Sequence, residues 1–126
     1  MKKIINTTEA PKAIGPYSQA VLINNMLFCS GQIAIDAKSG LLLTNNTEEE
    51  TIQIMKNITG ILHESNMDLS DIVKCTIFLK DMNIYEDFNK VYSTYFDENP
   101  PAREAVQVSR LPKDVNIEIS VIAIKE

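Results

Sequence analysis

Two charged residues, Arg103 and Glu118, stand inside runs that otherwise read as buried β-strand, in the stretch NPPAREAVQVSRLPKDVNIEIS at residues 99 to 120. Strand side chains alternate between two faces, so each charge needs either a solvated face or a buried partner of opposite sign. As residue types they suit chemistry. A guanidinium holds a carboxylate through two parallel hydrogen bonds, and a carboxylate within hydrogen-bond reach moves protons. A structural ion pair across the final hairpin, or two solvent-facing charges, satisfies the same spacing. Two further stretches, AIGPYSQA at 13 to 20 and CSGQIAID at 29 to 36, carry glycine where backbone can come close to a ligand; each alone reads equally well as a turn or a bulge.

Other chemistries lack their residues. One histidine and two separated cysteines cannot build the usual structural zinc site, and no GxxxxGK(S/T) or GxGxxG loop is present to cradle phosphates. We therefore expect neither a metal nor an organic cofactor. His63 falls late in a helical segment, where a surface residue near the negative helix end is the simpler reading. There is no GxSxG elbow, so carboxylate, guanidinium, phenol and backbone remain. Cys29 and Cys75 sit in strand-like runs without CxxC spacing and read as reduced core residues. A net charge of −5 leaves little positive field for a phosphate backbone, so no nucleic-acid partner is expected.

At 126 residues, 44% hydrophobic and 23% charged, the chain has the size and make-up of a single soluble domain spanning 1–126. No apolar run approaches the roughly 18 residues of a membrane span, so no membrane partner is expected. The N-terminal MKKIINTTEA has two lysines and no apolar stretch behind them; it reads as the start of a strand in a cytoplasmic protein.

These residues need elements to hold them. AVLINN and MLFCSGQIAI form a hairpin about Asn24-Asn25. A first helix runs from Thr47 to Asn66, with Thr47 and Glu50 at capping-box spacing and Ile52, Ile54, Met55, Ile58, Ile61 and Leu62 as its apolar stripe; the acidic run 48 to 50 suits the helix dipole. IVKCTIFLK is a strand with Val73, Cys75, Ile77 and Leu79 on one face. A second helix, capped by Asn83, buries Ile84, Phe88, Val91, Tyr92, Tyr95 and Phe96 and is ended by Pro100 and Pro101. Strands at Ala102–Ser109 and Val115–Lys125 complete the order ββ(β)αβαββ, with both helices on one side of a sheet. Two helices cover one face only, and another copy of the chain is the simplest cover for the other.

Together AIGPYSQA, SGQI, DIVKCTIFLKDM and PPAREAVQVSRLPKDVNIEISVIA resemble the Rid (YjgF) family, in its order and spacing over essentially the whole chain, and within it the imine deaminase subgroup. The resemblance implies an α+β, chorismate-mutase-like fold: a mixed β-sheet with two helices packed on one face. It further implies a homotrimer whose sheets form a central barrel, with active sites in the clefts between subunits. The implied activity is hydrolysis of reactive 2-imino acids, tautomers of enamines such as 2-aminoacrylate and 2-aminocrotonate, to 2-keto acids and ammonia. By resemblance Arg103 binds the substrate carboxylate and Glu118 activates water and returns a proton.

Tyr17, Ser30, Gly31, Asn89 and Ala105 match substrate-binding positions of the family. Many relatives carry cysteine where this chain has Ala105, so a thiol there has no part in its chemistry. Glu104, where relatives carry serine or threonine, should project away from Arg103. Older labels within the family, translation inhibitor and endoribonuclease, and a non-enzymatic role as a metabolite-binding or chaperone-like trimer, are the competing readings.

Overall fold

The computed structural model describes residues 1–126. Strands β1 (Lys3–Ile5), β2 (Ala20–Ile23), β3 (Met26–Gln32), β4 (Ile72–Leu79), β5 (Ala102–Gln107) and β6 (Ile117–Ile124) form one mixed sheet in the order β1-β2-β3-β6-β4-β5. The β2–β3 turn is Asn24-Asn25, with Asn24 at φ 54°, a left-handed value that asparagine tolerates. Only β4 and β5 run parallel. A parallel pair needs a crossover, and α2 (Tyr85–Tyr92) lies within it. Helix α1 (Thr47–Glu64) occupies the connection from β3 to β4.

Both helices pack on the same face. Alternate residues of β6, Ile117, Ile119, Val121 and Ala123, meet Ile54, Met55, Ile58, Ile61 and Leu62 of α1 and Phe88 of α2 within a cluster of 22 buried apolar side chains. Cys29 and Cys75 are buried there as free thiols, and burial pushes Cys29 up to about 12. The opposite face is apolar as well. A row of strand partners, Ile4, Val21, Phe28 and Ile122, runs across it, and Phe28 is 41% exposed. The α+β mixed sheet with two helices on one face is as expected, and this chain leaves its second face open.

Several local expectations fail for identifiable reasons. Val73 does not share a face with Cys75: β4 is bulged between Ile72 and Lys74, so Ile72 is buried and Val73 is 43% exposed. Ile52 lies outside the stripe of α1 and is exposed. The cap of α1 is Asn46, whose side chain accepts from Glu49 N at 2.8 Å, with Thr47 already helical. Asn83 does not cap the second helix either. Asp81 caps a single turn at Met82–Ile84, and α2 ends at Tyr92, one tight turn and several residues before Pro100.

Glu50 does not close a capping box. Its buried carboxylate accepts from Asn116 N at 2.9 Å, Asn116 Nδ2 at 2.8 Å and Ile117 N at 2.9 Å, which ties the first residues of β6 to the first turn of α1. Glu50→Ala strands these donors, and each buried orphan costs about 1–3 kcal/mol. We expect roughly 3 kcal/mol of destabilisation, read as a lower urea midpoint; a loss under about 0.5 kcal/mol would contradict this role.

Candidate functional site

Arg103 lies on β5 in register with Cys75 of β4, on the helix-covered side of the sheet. Its Nη2 donates to Tyr85 Oη and to Asn89 Oδ1, each at 2.8 Å. The guanidinium carbon stands 4.8 Å from the centroid of the Tyr92 ring and 5.5 Å from that of Tyr85. Tyr85, Asn89 and Tyr92 recur at helical spacing on one face of α2, so one short helix builds the whole cradle. Neutral acceptors and ring faces hold the cation, and no carboxylate of the chain pairs with it. Its Nε and Nη1 make no hydrogen bond within the chain. Burial pushes the Cys75 thiol and the Tyr92 phenol up, so both stay neutral beneath the guanidinium. The Tyr92 hydroxyl is buried without a hydrogen-bond partner; the adjacent thiol does not meet bonding geometry.

Glu118 occupies the other face, opposite Phe78 in the β4–β6 ladder. It is half-buried, forms no ion pair or hydrogen bond through its side chain, and burial raises its pKa above the ordinary 4.5. A bulge in β3 between Cys29 and Gln32 brings Gly31 against it. A methyl group on Gly31 would lie 2.7 Å from Glu118 Cδ, so glycine is what leaves room for the carboxylate. Ser30 Oγ donates to Ser18 O at 2.6 Å and Ser30 N to Gln19 O at 2.9 Å, which pins the Gly15–Gln19 loop to the bulge. Tyr17, 54% exposed, stands on that loop. Tyr17, Gly31 and Glu118 line one cavity of about 250 Å³, together with Lys12, Ile33 and Lys113.

The predicted residues thus fall into two groups. Tyr17, Ser30, Gly31 and Glu118 gather on the open face; Arg103, Asn89 and Ala105 gather at β5 and α2, with Ala105 packed against the core. A structural ion pair between Arg103 and Glu118 is excluded, because the two side chains project from opposite faces. Glu104 does turn away from Arg103: its carboxylate takes the Thr76 hydroxyl at 3.0 Å and the Lys74 ammonium at 3.2 Å, and these hold its pKa down, the Thr76 bond most. A larger hollow of about 990 Å³, between the end of α1 and residues 95 to 99, contains none of these groups.

Three supporting residues escaped the sequence reading. Tyr85 shares the Arg103 cradle, and the spacing 85, 89, 92 was the available signal. Gln19 is buried, accepting from Thr7 N at 2.7 Å and donating to the carbonyls of Thr7, Ala10 and Pro11, so that one amide organises the wall of the Glu118 cavity. Glu50, read from its position as helix charge, anchors the strand that carries Glu118.

Comparison with known proteins agrees with this architecture at two levels. In fold, the chain superposes on the crystal structure of TdcF of E. coli with bound serine at a TM-score of 0.94, with 39% identity, covering 98% of this chain and 99% of that one. In sequence, a RutC family protein of Pyrococcus horikoshii is 52% identical over 126 residues, 100% of each chain. The 2-iminobutanoate/2-iminopropanoate deaminase of Homo sapiens is 44% identical over 125 residues, 99% of this chain and 91% of the human protein. Residues 7–125 match the family model described as Endoribonuclease L-PSP. The chain belongs to that family, known also as the Rid or YjgF family.

Proposed function

We propose that this protein is an enamine/imine deaminase, hydrolysing reactive 2-imino acids to 2-keto acids and ammonia at sites shared between copies of a homotrimer. The observation that carries this reading is Arg103: a guanidinium oriented by two neutral acceptors and two rings, with its remaining donors unused and no acidic partner. Such a group is prepared for a carboxylate, which every 2-imino acid carries beside its electrophilic carbon. The apolar open face supports assembly, since another copy would cover it, and β5, the edge strand that carries Arg103, is free to lie beside the Glu118 cavity of the next copy. The kinship with a human protein named for imine deamination, and with TdcF holding serine, supports a small amino-acid-like ligand. We take residues 1–126 as the folding unit and the cytoplasm as its compartment.

In the proposed cycle the enamine first tautomerises to the imine. With the carboxylate on Arg103, Glu118 removes a proton from water as the oxygen bonds to C2, and the C=N π pair moves to nitrogen. Glu118 then returns that proton to the nitrogen, giving a carbinolamine, and carries the carbinolamine hydroxyl proton to the same nitrogen as the C–N bond breaks; ammonia leaves and the keto acid remains. No step calls on a metal or organic cofactor. Tyr17 lines the pocket, and the Ser30–Gly31 backbone flanks it.

The test is imine released by a serine or threonine dehydratase and trapped with semicarbazide. Wild-type protein should suppress trapping; an assembled, folded wild type that leaves the trapping rate unchanged would end the deaminase reading. Gly31→Ala should keep the fold, since the position is exposed, yet displace the Glu118 carboxylate and lower activity about a hundredfold. Unchanged activity in that variant would show that the close approach at the bulge is immaterial.

A further inference from the structure

We propose that Lys12 and Lys113 form an electrostatic funnel that draws anions into the Glu118 cavity and favours acids bearing a second negative charge. The proposal rests on the deaminase reading for the identity of the anion, and deepens it toward substrate class. A chain of net charge −5 repels anionic substrates at long range, so a site for them gains from local positive charge. Three lysines of the chain are neutralised in ion pairs: Lys74 with Glu104, Lys80 with Asp114 and Lys125 with Asp71. Lys12 and Lys113 are not, and both line the cavity that holds Glu118. Glu118 is the only acidic group among the residues lining it.

The backbone gives independent support. Each lysine follows a proline, Pro11 and Pro112, whose fixed φ stiffens the approach. Lys113 also adopts φ 55°, ψ 20°, followed by Asp114 at φ 54°. Glycine takes this left-handed conformation without strain, whereas lysine does not. Strain retained beside a cavity that holds an unpaired carboxylate points to a use for the side chain. The Asp114 carboxylate is turned to Lys80 at 3.1 Å and leaves the Lys113 charge uncompensated.

The test measures binding of stable keto acids by calorimetry against ionic strength, using 2-oxobutanoate, 2-oxohexanoate and 2-oxoglutarate; the last two separate length from charge. For wild type, affinity should fall with salt, more steeply for the dianion. Replacing both lysines by glutamine should weaken the monoanions about fivefold and the dianion about twentyfold at low salt, the differences vanishing near 0.5 M. Lys113→Gly should raise Tm while weakening binding.

A double variant with the salt response of wild type would overturn the proposal, as would equal salt slopes for one and two charges. Wild type that suppresses imine trapping but binds no keto acid would also overturn the funnel while leaving the deaminase reading intact. Salt-sensitive binding without suppression of trapping would do the opposite.

Discussion

Glu118→Gln is expected to lower turnover of 2-imino acids by a hundred- to ten-thousandfold, because the amide can neither take a proton from water nor return one to the departing amine. The same change should not lower stability at neutral pH. Burial holds the folded-state pKa of Glu118 above its ordinary value of 4.5, so the folded chain binds this proton more tightly than the unfolded chain does. The contribution to stability is complete below 4.5 and is gone once the pH has risen past the folded-state value. Wild type and Glu118→Gln should therefore differ in how Tm changes across mildly acidic pH. Activity moves in the opposite sense, since the ionised carboxylate is the base; it should rise with pH through a midpoint above 4.5. A fall in Tm at pH 7 in the variant, or activity independent of pH through this region, would contradict the assignment.

Arg103→Ala carries the second large effect, a loss of roughly a hundred- to ten-thousandfold in kcat/KM, the size expected when two charge-assisted hydrogen bonds to a carboxylate are removed. Arg103→Lys should recover only part of it. A lysine keeps the charge, but its single ammonium cannot bond Tyr85 and Asn89 while still offering separate nitrogen donors to a carboxylate. The semicarbazide trapping assay measures both variants, and full activity in Arg103→Ala would remove the clamp from the mechanism. Neither change should unfold the chain, because Tyr85 and Asn89 are only partly buried and water can replace the lost bonds.

The parts of this molecule visible in the sequence are those that depend on alternation and helical period. The β2–β3 hairpin about Asn24, the α1 stripe from Ile54 to Leu62 and the two-sided apolar character of β6 all follow from local pattern. What eluded that pattern is non-local. The β4 bulge that exposes Val73 is set by pairing with β6 and by nothing in IVKCTIFLK itself. Glu50 reads as first-turn charge because its partners, Asn116 and Ile117, lie some 66 residues further along the chain. The same holds for the site. Arg103 and Glu118 stood out as charges in strands, but their placement on opposite faces depends on β5 pairing parallel to β4 and β6 pairing antiparallel to it. Tyr85 was signalled by its helical spacing from Asn89 and Tyr92, while its partner Arg103 lies 18 residues further on.

That separation is also what makes the account testable in one experiment. If Arg103 of one copy serves Glu118 of the next, neither inactive variant alone has a complete site, yet a mixture of the two does. Arg103→Ala and Glu118→Gln, each purified, are unfolded together in equal amounts, refolded and assayed by suppression of semicarbazide trapping. For trimers assembled at random, one site in each mixed trimer has both residues intact, so about a quarter of wild-type activity should return. Activity no greater than that of the separate variants, in a mixture shown to exchange subunits, would place both residues in one chain's site and contradict the account.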